Sequence, residues 1–401
     1  MTLPLIIRKS LRQHALSTVL TALSIALAVG LWMSVWIIKN QSQQTFTSVN
    51  AGFDAVLGAR GSKLQLVLNA IFHLEASPGN LPWSDFLDIQ KHPHVALAVP
   101  LAVGDNYRGY RLVGTTLDLF QRAEYAEDRK FAVEKGGRLF MPGYREAVVG
   151  SFVAQSLKLK PGEKFHPFHG LIFDEKQQHA ETYVVTGVLE PSNTPADRVI
   201  WIPLEGIQNM SGHNPDAATD VSAVLVKLSS PVAGFQLDIL YNKQGNRLTF
   251  AWPTGKIMSE LFDKIGWFDR VLALVAYLVA FVAVMSVLVS LYNSMNERRR
   301  EIAILRALGA RRLTVFGAIV LEAAAITALG VLGGFVVYGA IATGVAGVIR
   351  AQTGVVLEPL AFSSVMLWAP GMMLALGALA GIVPAIKAYR TSVADHLVPS
   401  S

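Results

Sequence analysis

The chain has 401 residues, 52% hydrophobic and only 16% charged, with a net charge of +6 and no cysteine. Such a composition is apolar-rich and charge-poor against an ordinary soluble protein, so a membrane class is the first to test. The lack of cysteine excludes a disulfide framework, and any exported domain must stand on its own hydrophobic core.

Residues 1–14 carry Arg8, Lys9 and Arg12 and are expected on the cytoplasmic side. Ala15 to Ile38 then runs 24 residues without a charge, enough to cross a hydrocarbon core of roughly 30 Å as a helix. This apolar run is longer than the 7–15 residues of a secretory signal and no A-x-A-like site closes it, so an uncleaved anchor is expected.

The polar block 39–266 follows. HVALAVPLAVGD and YRGYRLVGT cluster β-formers in short runs ended by glycine, the pattern of strands. REAVVGSFVAQSLKLKPGEKF gives a strand, a glycine turn, a helix on Val153, Leu157 and Leu159, and a Pro161-Gly162 turn. ETYVVTGVLEPSNTPADRVIWIPL gives a strand, a proline-rich loop and another strand. The flanks 39–50 and 255–267 are helix-compatible and lack the Gly/Ser richness of a flexible linker, so they read as stalk helices, with a juxtamembrane linker as the alternative.

Seven of the nine histidines, His73, His92, His94, His166, His169, His179 and His213, fall in this block. HPH places His92 beside His94, and HPFH places His166 near His169. Either spacing could hold Zn²⁺ if a carboxylate or a further imidazole joined it; otherwise these are solvated loop histidines.

Val271 to Tyr292 is the second uncharged run, giving a span over 267–292. Leu313 to Ile349 contains one charge, Glu322, and is too long for one upright crossing. It reads as a span over 314–349 whose outer end tilts or turns back. A short outer loop, 350–361, precedes the last span, 362–386, and a cytoplasmic tail, 387–401. Buried helices of a large soluble protein are the competing reading, but soluble core helices seldom run this far without charge. The basic residues before the first span, the six arginines between the second and third, and Lys387 with Arg390 all fall on one side if there are four crossings.

Glu322 inside a span is costly and marks either a structural pair, for example with an arginine near the cytoplasmic face, or a proton relay. Gly330 with Gly334, and Gly377 with Gly381, form small-x-x-x-small pairs that let helices approach closely, within a bundle or across a dimer.

The connection 293–313 holds ERRREIAILRALGARR. Glu301 to Leu308 are strong helix formers, with Ile302 and Leu305 on one face, Ile304 and Leu308 on another, and Gly309 placed as a stop. By physics alone it is either a short amphipathic helix at the inner surface or a basic loop resting on anionic lipid. The wider segment NERRREIAILRALGARRLTVFGAIVLEA, Asn296 to Ala323, resembles the signature of the FtsX-like, MacB-type family of ABC transporter permeases.

That resemblance implies four transmembrane helices and a mixed α/β periplasmic domain between the first two. The domain would be a MacB-like core with a small β-rich insert, placed here at roughly Thr115 to Thr194. It implies a coupling helix that meets a partner ATPase through Glu297, Arg298, Arg299, Arg300, Glu301, Ile304, Leu305, Arg306, Leu308 and Gly309. PAIKAYRTSVADHL resembles the family's closing segment, although Ser392 stands where proline is usual. Asp54 to Asn80 also resembles a subgroup associated with zinc-responsive transport.

No G-x-x-x-x-G-K-[ST] occurs; PTGKI at Pro253 lacks the first glycine and the Mg²⁺-binding hydroxyl. G-x-S-x-G and H-E-x-x-H are likewise missing. The expectation is a non-catalytic permease subunit in a bacterial inner membrane, with ATP and Mg²⁺ held by a separate subunit. It would work as a homodimer or as a heterodimer with a similar permease, in contact with membrane lipid and with a periplasmic protein or adaptor as a further candidate partner; no nucleic acid is expected. The alternative is a non-transporting envelope receptor or scaffold.

Overall fold

The computed structural model describes residues 3–212, 219–297, 299–307 and 309–390. In chain order these form α1 (Leu3–Gln13), α2 (Ala15–Ser48), β1 (Ala55–Ala59), α3 (Lys63–Ala70), α4 (Trp83–Gln90), β2 (Val95–Tyr107), β3 (Tyr110–Thr115), α5 (Asp118–Gln121), β4 (Glu146–Val149), α6 (Ser151–Leu157), β5 (Lys164–Phe165), β6 (Phe168–His169), β7 (Tyr183–Val188), β8 (Ile200–Pro203), α7 (Leu204–Gln208), β9 (Ala223–Leu228), α8 (Pro231–Asp238), β10 (Leu248–Ala251), α9 (Thr254–Glu297), α10 (Arg299–Ala307), α11 (Arg312–Thr353) and α12 (Val365–Arg390). They divide into two compact units. The first takes the chain up to Gln41, Ile265–Gly347 and the chain from Glu358 on; the second is Ser42–Lys264 with Val348–Leu357.

In the first unit, α2, α9, α11 and α12 are long and apolar enough to cross a membrane. Their apolar sequences need no amphipathic stripe, because lipid accepts the outward face that water would reject. Ile25, Val29 and Met33 of α2, Ala283 and Val287 of α9, Ile326 and Val331 of α11, and Ala369 and Met373 of α12 form the buried core. Trp32 meets Tyr277 and Trp368 edge-on, with ring centres 5.5 and 5.3 Å away. Outward, α9 exposes Leu274, Leu278, Phe281 and Val282. The long third apolar run does not turn back: α11 is one helix of 42 residues, about 63 Å at 1.5 Å per residue.

The second unit is built on a ten-stranded mixed sheet in the order β10-β1-β9-β2-β3-β8-β4-β7-β5, with β6 paired to β2. Strands β1, β9 and β10 are almost wholly buried, which explains their continuous apolar sequences. Pairing is antiparallel except between β3 and β8 and between β4 and β7. The strands of the expected β-rich insert continue this same sheet, because Val148 of β4 pairs with Trp201 of β8. Phe86 and Ile89 of α4, Val153 of α6, and Leu204 and Ile207 of α7 join the sheet core.

Both segments flanking the domain are helical. The first apolar helix runs unbroken to Ser48 and α9 starts as early as Thr254. Phe46, near the end of α2, stacks on Phe72 at 5.3 Å and meets Phe262 of α9 edge-on at 6.0 Å. The segment Val348–Leu357, at the end of α11 and beyond, also belongs to the second unit. Val355 is fully buried there, and the Arg198 Nε donates to the Ala351 carbonyl at 2.6 Å.

Candidate functional site

Helix α10 ends where Gly309 takes φ 98°, a left-handed conformation that glycine adopts without a Cβ clash. The Gly309 N–H donates to the Arg306 carbonyl at 3.1 Å, closing the last turn. Two residues of the expected coupling set, Arg298 and Leu308, lie outside the described residues. Glu297 closes α9, and Arg299, Arg300, Glu301, Ile304, Leu305 and Arg306 lie along α10. Ala303 is buried, and Ile302 packs on the cluster of Met295, Val315, Ile319, Ala385 and Ala388. Ile304, two positions on, is 43% exposed. One face of α10 is thus held by the bundle while an isoleucine points away from it.

Cations at this end of the bundle lie against tyrosine rings. Arg312 Cζ is 5.6 Å from the Tyr389 ring centre. Lys387 Nζ is 3.9 Å from the Tyr292 ring centre and donates to its hydroxyl. Such contacts tie the ends of α9, α11 and α12 together through cation–π attraction. Glu322 is buried and accepts a hydrogen bond from the Ser10 hydroxyl of α1. It lines a cavity of about 70 Å³ with Ile7, Ile302, Thr314, Val315 and Ile319.

The two small-residue pairs sit inside the chain's own bundle. A Cβ on Gly334 would stand 2.9 Å from Val29 Cβ, and one on Gly381 would stand 2.6 Å from Ala323 Cβ. Gly330 faces Ile25 and Gly377 faces Thr327 in the same way. Gly30 of α2, in the register Ala26-x-x-x-Gly30-x-x-x-Ser34, is just as tightly placed: a Cβ there would meet Val337 Cβ at 2.6 Å.

The histidines of the outer domain separate into distinct settings. His92 and His94 have ring centres 5.3 Å apart, and the His94 N–H donates to His92 Nδ1. Burial and the neighbouring His94 hold the His92 imidazole below its ordinary pKa. His166 turns Nδ1 to the Glu181 carbonyl, 3.1 Å away. His169 has a different partner from His166: its Nδ1 is 3.4 Å from Asp105 Oδ1, and His179 Nε2 is 3.1 Å from the same oxygen. Among the described residues, Asp105, His169 and His179 are the group whose donor atoms converge as metal ligands would, all within 4.8 Å of one another. His213 lies outside the described residues.

Sequence spacing could not assemble this trio. Asp105 is a strand residue 64 and 74 positions from its partners. It reaches them only because β2 breaks register between Val103 and Asp105 and pairs Asp105 with His169 of β6. The signals available were the HPFH spacing, which singles out His169, and the place of His179 in the same polar block.

Four apolar helices, with a mixed α/β domain inserted after the first, define a multi-pass membrane protein with a large periplasmic domain. The chain belongs to the MacB/FtsX-type ABC permease family: residues 18–237 match the MacB-like periplasmic core domain and residues 273–393 the FtsX-like permease C-terminal domain. Two solved structures are partly similar. The periplasmic region of MacB from Actinobacillus actinomycetemcomitans is 13% identical, with 53% of this chain and 94% of that one covered and a TM-score of 0.35. The extracellular domain of the noncanonic ABC-type transporter YknZ from Gram-positive bacteria is 19% identical, with 49% and 98% covered and a TM-score of 0.29. The family assignment rests on the two sequence matches.

Proposed function

We propose that this chain is the permease subunit of an ABC transporter in a bacterial inner membrane, moved by a separate ATPase subunit that binds ATP and Mg²⁺. The observation that carries the reading is α10: Ile302 and Ala303 are packed into the bundle while Ile304 is presented outward. A partner that grips the exposed face therefore pushes on α9, α11 and α12 through the buried one. The unbroken helices α2 and α9 then carry that push to the domain, because a continuous helix transmits displacement where a flexible linker would absorb it.

The work is done on a substrate outside the membrane, in the manner of a mechanical transmission. A lipoprotein, a lipophilic small molecule and a metal-linked periplasmic partner are the candidate cargoes. The active assembly holds two permease copies and two ATPase subunits.

The test is purification of the full-length chain in mild detergent, with mass spectrometry of what is retained. The wild type should hold an ABC ATPase whose hydrolysis depends on the permease. Ile304→Asp, which puts a charge on the exposed face of α10, should release that ATPase while the bundle stays folded. Retention of the ATPase with unchanged hydrolysis in Ile304→Asp would remove the coupling role and leave an envelope receptor or scaffold as the reading.

A further inference from the structure

We propose that Asp105, His169 and His179 form a Zn²⁺ site in the periplasmic domain, with an open coordination position facing the adjoining cleft. Ligands of a four-coordinate zinc at about 2.0–2.1 Å stand roughly 3.3 Å apart. Two edges of the present triangle are already there, at 3.1 and 3.4 Å. The whole set lies within 4.8 Å, so closure asks the third edge to shorten by at most about 1.5 Å.

The backbone fixes these positions independently of any ion. Asp105 pairs with His169 in the β2–β6 ladder, and Phe168 bridges to Gln178, the neighbour of His179. The His179 N–H donates to the Pro167 carbonyl at 2.9 Å. Asn106, beside the carboxylate, donates from Nδ2 to the Gly170 carbonyl at 2.9 Å and so holds the turn that follows His169. A donor set held by its own scaffold loses little entropy when it closes on an ion.

Burial is graded in the way an accessible site requires. Asp105 is fully buried and the His179 side chain is 5% exposed, while that of His169 is 49% exposed. His169 also lines a cleft of about 320 Å³ with Asn80, Gly104, Gln208, Asp220 and Ser222. A zinc held by three protein ligands keeps its fourth position for water or an incoming group, and His169 is the member of the trio that lines the cleft. Glu181 is committed elsewhere, its carboxylate accepting from the Ser211 N–H at 3.0 Å and hydroxyl at 2.9 Å.

The donor chemistry narrows the ion. Two imidazoles and one carboxylate suit a borderline first-row cation. Ca²⁺ and Mg²⁺ take oxygen shells, and Cu⁺ favours the thiolates and thioethers that this trio lacks.

The test uses the full-length chain in detergent, stripped with a chelator and titrated with Zn²⁺ against a chromophoric competitor, with Co²⁺ as a spectroscopic probe of four-coordinate geometry. The wild type should take up one Zn²⁺ per chain. His169→Ala alters an exposed side chain, so the fold should survive; it should weaken binding at least tenfold and abolish the Co²⁺ spectrum, and Asp105→Asn should do the same. The double variant His92→Ala, His94→Ala should bind as the wild type does. Failure of the wild type to bind at micromolar Zn²⁺, or equal affinity in His169→Ala, overturns the proposal, as does loss of binding in the His92/His94 variant instead. The outcome is separable from the ATPase reading, because Ile304→Asp should leave Zn²⁺ binding untouched.

Discussion

Gly330 of α11 lies so close to Ile25 of α2 that a Cβ on the glycine would stand 2.5 Å from the isoleucine Cβ and 2.9 Å from the Ala22 carbonyl oxygen. Helix association in lipid has no hydrophobic drive and depends on such close approach. Overpacking of a tight contact costs about 1–3 kcal/mol. Gly330→Val should therefore lower the thermal midpoint of the detergent-solubilised protein. Gly344→Ala should leave it unchanged, since nothing lies within 4 Å of a Cβ there. Equal melting of the two variants would show that α2 and α11 do not rely on this contact.

His73 contributes to the response of the periplasmic domain to acid. Burial, assisted by the positive charge of Arg111 and partly offset by the Asn69 backbone, lowers its pKa to about 3. An unfolded histidine titrates near 6.5. Between those values the unfolded chain binds the proton and the folded chain does not, so stability is complete above about pH 6.5 and is lost as the pH falls toward 3. The linkage amounts to about 2 kcal/mol at pH 5. Chemical denaturation of wild type and His73→Phe at pH 7.5 and 5 checks this: the variant should show a smaller loss, and parallel losses would refute it.

Gly354 closes α11 with φ 75°, and a Cβ there would meet the Pro195 Cα at 3.0 Å. Beside it, Arg198 donates to the Ala351 carbonyl and Arg350 lies over the Phe152 ring at 5.9 Å. A β-branched residue is disfavoured at positive φ and would also clash, so Gly354→Val should loosen Val348–Leu357 from the domain surface. Limited proteolysis should then cut after Arg350 at least several-fold faster than in the wild type, with ATPase retention unchanged. An unchanged cleavage rate would mean that this segment is held by other contacts.

Much of the architecture was legible because lipid imposes a simple rule: a span must be long and nearly free of charge, and of the four runs only the third holds a charge, Glu322. The strands around HVALAVPLAVGD and VVTGVL were legible as short runs of β-formers, most of them buried or half-buried. What the chain did not announce was long-range. Whether β4 joins a separate sheet or extends the main one is decided by Val148 meeting Trp201, a pairing no local pattern encodes. At the sites, a short loop-proximal spacing such as HPH was visible. Asp105 was hidden in a strand, and only a β-bulge and the β6 pairing bring it to His169 and His179. Ile304 was readable as one face of an amphipathic helix, but which face the bundle covers depended on Met295, Val315 and Ala385.

The central claim is that nucleotide binding by an ATPase partner moves the periplasmic domain through the helices. The chain has no cysteine, so Lys135→Cys and Ser364→Cys, both exposed positions, can carry two spin labels, and diluting the labelled chain into unlabelled chain leaves one pair per complex. In nanodiscs with the co-purified ATPase, the distance distribution between the labels should shift by several ångströms when ATP is trapped in the nucleotide sites. An identical distribution with and without trapped ATP, in complexes shown to be fully loaded, would contradict mechanical transmission.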